Sequence, residues 1–596
     1  MIRLALTVIV ALGVLGGCSL SEKRISDVDR VVSDHRETRL DCAPANESNC
    51  AIASPLLEQA RMDDRADRHR VTLVEFGEDA LVLRIHLIRA ARERVDLQNF
   101  ILRKDMTGEL VLNELLDAAR RGVKVRLLLD QMFTFSDAEY LVWLTMTHAN
   151  LEVRFYNPSF DKAKMAKHDW LTGIACCFRR VNQRMHNKLL VVDELVGVTG
   201  GRNVADRYYD FDTNYEFKDR DVIVFGGTAS EMHDSFDWFW ESPKTVPVQH
   251  LRDVAAELLT EEPGKLPEYE PSGRLQKVLA DAVDTQRIRD SFIGPSFQVE
   301  RLLYFSDRPR KLAFENPEPE HDITEILYGV VTQAEESVLI QSPYMVLSSR
   351  ARKVFKALRE EHSQIELVYS TNSLASTDAD TVYGNTHRHK KRYVKKLGFE
   401  IYEFKPFPAD APDFFPRWPD LIREKKAGVR SKSSVSGDNS TMPMPAPRVG
   451  LHSKSFVVDG EVAMIGSHNF DPRSEGFNTE NGIIVWDAAF ARHLESLIRR
   501  DIEPQNSWVV AMKPAGLQAE TALQAPPDVA GKFEPWPWSD TSVYELLPGK
   551  EPLSPHHRDF YRHYYPMGSF PEVVRTRRQY LVLFLGSFFF FLEPIL

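Results

Sequence analysis

Two short strings hold the residues that can do chemistry. One reads Met185-His186-Asn187-Lys188-Leu189-Leu190-Val191-Val192-Asp193, the other Leu451-His452-Ser453-Lys454-Ser455-Phe456-Val457-Val458-Asp459. Both spell His-x-Lys-x-x-x-x-Asp. Their histidines, lysines and aspartates are each 266 residues apart, and so are Asn203 and Asn469 downstream. His and Lys two apart on a strand face the same way. Asp193-Glu194 and Asp459-Gly460 close the apolar runs, and Asp-Gly favours a two-residue hairpin turn. Such turns set Gly201 opposite His186 and Ser467 opposite His452, with Asn203 and Asn469 just beyond. Each hairpin then gathers an imidazole, an ammonium and a carboxamide. Two of them face to face make a receptor for a phosphodiester. Lysines and amides hold the non-bridging oxygens, and the imidazoles stand in line on either side of phosphorus. One imidazole attacks, the other protonates the departing alcohol, and an acceptor hydroxyl then releases the phosphoryl group. The lysines supply the positive charge that Mg²⁺ supplies elsewhere, so this chemistry asks for no metal and no cofactor.

A single such string arises readily from a surface strand and its turn. The second copy, with its asparagine at the same distance, is what makes a site. Asp193 and Asp459 belong to the catalytic motif, but their place in the turn gives them a structural role. A catalytic imidazole needs a carboxylate to fix its tautomer. Aligning Val222-Ile223-Val224 with Ile483-Ile484-Val485 sets Asp219 against Glu480, the orienting candidates, with Asp221 in reserve in the first half.

The strands and helices around these groups recur with the motifs. Leu81 to Ala91 carries apolar residues at helical spacing, Val95 to Phe100 reads as a strand, Leu110 to Arg121 as a helix, and Val123 to Leu129 as a strand ending in Asp130. Strands alternating with helices give an α/β sandwich. The order returns later: Glu336 to Tyr344 echoes Glu93 to Ile101, Ile365 to Tyr369 echoes Val125 to Leu129, and Phe399 to Pro406 echoes Leu151 to Pro158. One α/β unit is duplicated. The expected division is an N-terminal lobe over 71–300 and a C-terminal lobe over 301–510. A mobile insertion spans 423–448, and an extension covers 511–596.

The ends differ from the middle. Residues 1–18 form a one-charge leader with a short apolar core ending Leu15-Gly16-Gly17-Cys18, a signal peptide whose cysteine is a lipidation site; residues 19–70 read as a polar tether. Tyr580 to Leu592 is an apolar tail behind Arg575, Arg577 and Arg578, too short to span a bilayer comfortably and suited to its interface. The chain has 596 residues, 5 cysteines and a formal charge of -11. That length calls for more than one domain, and that charge opposes bulk nucleic acid as a partner. No cysteine has zinc spacing; in an exported chain Cys42 and Cys50 can form a short-loop disulfide, the alternative being free thiols in the leader.

These strings resemble the phospholipase D superfamily, whose signature is the duplicated motif. Within it the resemblance is to the bacterial cardiolipin-synthase-like group. It rests on Arg184-Met185-His186-Asn187-Lys188 with Gly200-Gly201-Arg202-Asn203, and on His452 to Asp459 with Asn469-Phe470-Asp471-Pro472-Arg473-Ser474 and Asn478-Thr479-Glu480. The resemblance covers roughly residues 75 to 500. It implies two α/β lobes, each a mixed sheet flanked by helices, related by a pseudo-two-fold with the site at their seam. It implies cardiolipin formation from phosphatidylglycerol, with phosphatidylglycerol or phosphatidylethanolamine as partner lipid, and it makes His186 the nucleophile and His452 the acid/base. The chain departs from the group in the Gly201-Arg202 preceding Asn203, in the lipobox and in the 423–448 insertion. The lipobox places the chain at a cell-envelope membrane facing the periplasm, and Ser19 after the cysteine favours the outer membrane. The rival readings are a hydrolytic phospholipase D, a nuclease, and an inactive lipid-binding protein; the last would have lost a motif residue. The basic run His387 to Arg392 reads either as a headgroup site or as a solvated helix.

Overall fold

The computed structural model describes residues 20–42, 50–63, 69–132, 134–260, 268–309, 311, 323–429, 445–514 and 540–573. Cys18, the 580–592 tail and most of the 423–448 insertion lie outside them. The insertion's described flanks belong to regular elements: the helix Trp418–Lys426 runs through its first residues, and the strand Arg448–Leu451 begins at its last.

Two mixed sheets, of nine and ten strands, share one internal order. In the first lobe it runs Leu151–Tyr156, Lys124–Asp130, Arg94–Asn99, Leu189–Val192, Val196–Gly200, Asp221–Phe225, His69–Val74. In the second it runs Glu400–Phe404, Glu366–Asn372, Ser337–Gln341, Ser455–Val458, Val462–Gly466, Asn481–Trp486, Arg301–Ser306. The first three strands of each set are parallel, joined by helical crossovers; the motif strand then enters antiparallel to the third. The duplication visible in the sequence is thus a duplication of topology. The chain passes between the sheets at Glu300, between Phe297–Val299 of the first and Arg301–Ser306 of the second.

The apolar motif runs are uninterrupted because both of their faces are covered. Leu190 and Val192 enter the core of the first lobe, while Leu189 and Val191 enter a third cluster between the lobes. Phe456 and Val458 likewise face the second lobe's core, and Val457 the seam. Both sheets and the helices Gly227–Trp240 and Ala488–Asp501 contribute to that seam cluster, which fixes one lobe on the other.

Three expectations need correcting. The 19–70 stretch is not simply a tether. Its helices Glu22–His35 and Pro55–Asp63 pack Val28, Val32, Leu56, Leu57 and Ala60 into the first core. On the first helix Ile25, Val28 and Val32 fall at i, i+3 and i+7 with Val31 beside them, a helical stripe that the surrounding charged residues mask. The stretch after 511 is not separate either: Thr541–Leu546 and Tyr564–Gly568 extend the second sheet beyond Ser507–Met512. And the motif hairpins turn over three residues. Val192 faces Val196 and Val458 faces Val462, one register step from the two-residue count. The extra residue is accommodated with positive φ at Asp193, Glu194, Asp459 and Gly460, and one step of register moves every facing residue to its neighbour. Cys42 and Cys50 are joined, as are Cys176 and Cys177. In the basic run, Lys390 is buried on Glu403 at 2.5 Å, and that side chain is not open to a headgroup. No described helix is long and apolar enough to cross a membrane.

Candidate active site

Each motif histidine is placed by the opposite lobe. Arg184–Met185, just before His186, pairs in parallel with Asn478–Thr479, just before Glu480. Arg448–Leu451, just before His452, pairs in parallel with Tyr215–Lys218, just before Asp219. The ladders end on His186 N–H donating to Thr479 O at 3.0 Å and His452 N–H donating to Lys218 O at 2.8 Å. From those anchors the side chains cross. His186 Nδ1 lies 2.8 Å from Glu480 Oε2, and His452 Nδ1 lies 2.6 Å from Asp219 Oδ2. Each carboxylate follows its own lobe's motif in sequence and serves the other lobe's ring.

A second pair of pins fixes the residue before each histidine. Asp130 Oδ2, at the end of a parallel strand, accepts from Met185 N at 3.0 Å. Asn372 Oδ1, at the end of the corresponding strand, accepts from Leu451 N at 2.8 Å. Asp130 was visible as a strand end, but its partner was not. Behind the carboxylates, Ser467 Oγ donates to Glu480 Oε2 at 2.5 Å. The matching residue, Gly201, leaves room for Asp219, whose Oδ1 would lie 2.1 Å from a Cβ there. Phe100 meets the His186 ring edge-on at 4.9 Å, and Phe217 and Tyr208 enclose His452 at 4.7 and 5.1 Å.

The carboxylates fix the tautomers. An Nδ1–H directed at Glu480 or Asp219 leaves Nε2 of each ring for a substrate. His452 Nδ1 is also 2.8 Å from Lys454 Nζ. The shorter carboxylate contact and the parallel with His186 assign its proton to Asp219. Burial holds the His186 imidazolium down to about 4, against the opposing pull of Glu480. Burial and then Lys454 push His452 the same way, with Lys188 and His186 adding to it. Burial also lowers Lys188 to about 7 and Lys454 to about 8. All four shifts run against positive charge at the seam, a penalty that an entering anion would relieve.

The structure therefore brings together His186, Lys188, His452, Lys454, Asp219 and Glu480. Other expected residues part from that set. Asp193 and Asp459 sit at the far, turn end of the hairpins. Asp193 accepts from the backbone N of Arg92, Glu93 and Arg94, and Asp459 from those of Glu335, Glu336 and Ser337. They tie the turn to the neighbouring strand and do not reach the pocket. Asn203 is already engaged, its Oδ1 accepting from Ile101 N at 3.1 Å and its Nδ2 donating to Tyr208 OH at 2.9 Å. It braces the ring beside His452, and one of its two Nδ2–H donors takes no part in that contact. Asn469 has its Oδ1 buried without a hydrogen-bond partner. Asp221, the reserve, instead pairs with Arg84 at 2.8 Å. A residue that spacing did not single out is Asp378, half-buried after the strand Glu366–Asn372. It accepts from Tyr344 OH at 2.9 Å, and its charge favours the protonated forms of His452 and Lys454.

Comparison with known proteins agrees with the duplication. The family model described as "Cardiolipin synthase, PLD-like domain" matches residues 84–240 and 327–502, one segment in each lobe. The chain belongs to the phospholipase D superfamily, in its cardiolipin-synthase-like group. It is 30% identical to cardiolipin synthase C of Escherichia coli K12 over 421 residues, 70% of this chain and 81% of that one. An uncharacterized protein of Helicobacter pylori 26695 is 30% identical over 455 residues, 75% of this chain and 82% of that one. Cardiolipin synthase 2 of Staphylococcus epidermidis RP62A is 22% identical over 426 residues, 71% of this chain and 66% of that one. Among solved structures, the phosphatidylserine synthase of Haemophilus influenzae Rd KW20 superposes with a TM-score of 0.48 at 12% identity, covering 80% of this chain and 95% of that one. The duplicated lobes are the two halves of a phospholipase D fold.

Proposed function

We propose that this chain transfers a phosphatidyl group between phospholipids through a covalent phosphohistidine, forming cardiolipin from phosphatidylglycerol with phosphatidylglycerol or phosphatidylethanolamine as partner lipid. The observation that carries the reading is the crossed pair, two buried imidazoles each backed by the other lobe's carboxylate in a pocket with two lysines. His186 Nε2 attacks phosphorus while Lys188 and Lys454 hold the non-bridging oxygens. The P–O bond to the leaving glycerol breaks, the P–N bond forms, and His452 gives its Nε2 proton to the departing oxygen. The anionic phosphodiester, entering among these groups, favours the imidazolium that His452 needs for that step. His452 then takes the proton of the acceptor hydroxyl, whose oxygen displaces His186 from phosphorus. A lipidated Cys18 would hold the enzyme at an envelope membrane.

The test is the full chain with defined phosphatidylglycerol, with products identified by mass spectrometry. Cardiolipin and free glycerol are the expected products, absent in His186→Ala and His452→Ala. Phosphatidic acid would mean that water is the acceptor. Turnover surviving in either variant would rule out the two-imidazole mechanism.

A further inference from the structure

The helix Lys167–Cys176 lies close to the first motif and takes no part in the site. From it the chain continues through the short helix Phe178–Asn182 directly into Arg184–Met185 and His186. The segment is fixed from below. Buried Asp169 takes Lys162 Nζ at 2.9 Å and the Ala166 N–H at 2.9 Å. Gly173 packs so closely on Val181 that an added Cβ would come within 2.8 Å of it. Asn157, just past the strand Leu151–Tyr156, donates to the carbonyls of Arg180 and Gln183 at 2.8 and 2.9 Å. The segment therefore stands over the edge of the sheet from which Asp130 pins Met185.

Its outer face is unusual for this chain. Trp170 is 38% exposed and Leu171 71%. Of the eight large hydrophobic residues exposed among the described residues, these are the only two adjacent in sequence, and Trp170 is the only aromatic. In the same segment Lys164, Lys167, His168, Arg179 and Arg180 are also exposed. Between residues 162 and 183 the sequence has five Lys or Arg and one acid, the buried Asp169, within a chain of net charge -11. An exposed tryptophan and leucine in a segment of exposed cations match the layered chemistry of an anionic bilayer. The apolar side chains enter the acyl boundary and the cations meet lipid phosphates.

We propose that the 164–180 segment is an interfacial docking face that seats the rim of the His186 half-site on an anionic phospholipid surface. This rests on the reading that the substrate is a membrane lipid and adds where the enzyme meets it. The face acts by local concentration and orientation, so it matters for lipid in a bilayer and not for lipid free in solution.

The experiment uses the full chain and the double variant Trp170→Ser/Leu171→Ser, whose altered side chains are exposed. Rates are measured on dihexanoyl phosphatidylglycerol as monomers and on vesicles of long-chain phosphatidylglycerol. Hydrogen exchange of peptides covering 164–180 is followed with and without those vesicles. The expected result is an unchanged monomer rate, a vesicle rate lowered about tenfold or more, and vesicle-dependent protection of 164–180 in the wild type that the variant loses. Equal losses on monomers and vesicles, an unchanged vesicle rate, or no protection in the wild type would each overturn the proposal. If the wild type turned over neither lipid, the proposed reaction would fall, and the exchange measurement would still decide the docking face.

Discussion

Replacing Glu480 by glutamine isolates the cross-lobe contact. Glu480 Oε2 receives His186 Nδ1–H at 2.8 Å and Ser467 Oγ–H at 2.5 Å, and its backbone N donates to Asp307 Oδ2 at 2.9 Å. The glutamine keeps the volume and the backbone contact and removes the charge. As His186 bonds to phosphorus, positive charge builds on the ring, and the carboxylate stabilises it through a charge-assisted hydrogen bond. Such a bond contributes about 1.5–3 kcal/mol, which at about 1.4 kcal/mol per decade corresponds to a kcat loss of roughly 10- to 150-fold. Rotation of the amide to present NH₂ to Nδ1 would force the proton onto Nε2 and deepen the loss. KM should change little, because Glu480 touches the ring and not the lipid. The assay is glycerol release from phosphatidylglycerol at saturation, with a single-turnover experiment that quantifies acid-labile phosphoenzyme. Glu480→Gln should slow formation of the phosphoenzyme by the same factor. Asp219→Asn, acting through His452 of the second lobe, should also let the adduct persist, because the acceptor is no longer efficiently deprotonated. A folded Glu480→Gln enzyme with kcat within about twofold of wild type, or with a loss confined to KM, would show that the carboxylate does not act on the His186 ring in the transition state.

Three further outcomes follow from the geometry. The buried His186 ring, held down to about 4, is neutral over the working range. Lys188 and Lys454, lowered by burial to about 7 and 8, lose their charge as pH rises; kcat/KM for an anionic lipid should therefore fall on the alkaline side, and a flat profile from about pH 6 to 9 would contradict it. Gly201→Ala sets a methyl group 2.1 Å from Asp219 Oδ1; displacing that carboxylate from His452 should lower kcat about tenfold or more with a small change in melting temperature, whereas wild-type turnover would show that Asp219 is not needed in place. Asp193→Ala removes the acceptor of three backbone N–H groups at a turn and should cost about 1–2 kcal/mol of stability. The folded fraction should keep its kcat, so lost turnover with an unchanged melting curve would return Asp193 to the chemistry.

The linear order of residues is enough to reveal the chemistry-bearing side chains, their duplication and the repeated α/β unit that carries them. Constant spacing survives because both motif strands hold equivalent places in equivalent sheets, and the uninterrupted Leu189 to Val192 run reflects a strand covered on both faces. It also picked out Asp219 and Glu480, because the strands that follow them align. Which acid serves which ring is settled by the folded chain alone. His186 and Glu480 are 294 residues apart, and His452 and Asp219 233. No periodicity of 2 or 3.6 reports on a contact made by docking one lobe against the other. The same limit hid the role of Asn203: its spacing matches that of Asn469, but its amide is engaged by Ile101 and Tyr208, a matter of local packing. The turn length escaped for a different reason. Two- and three-residue hairpins share the same Asp and Gly preferences, and only the pairing of the flanking strands separates them.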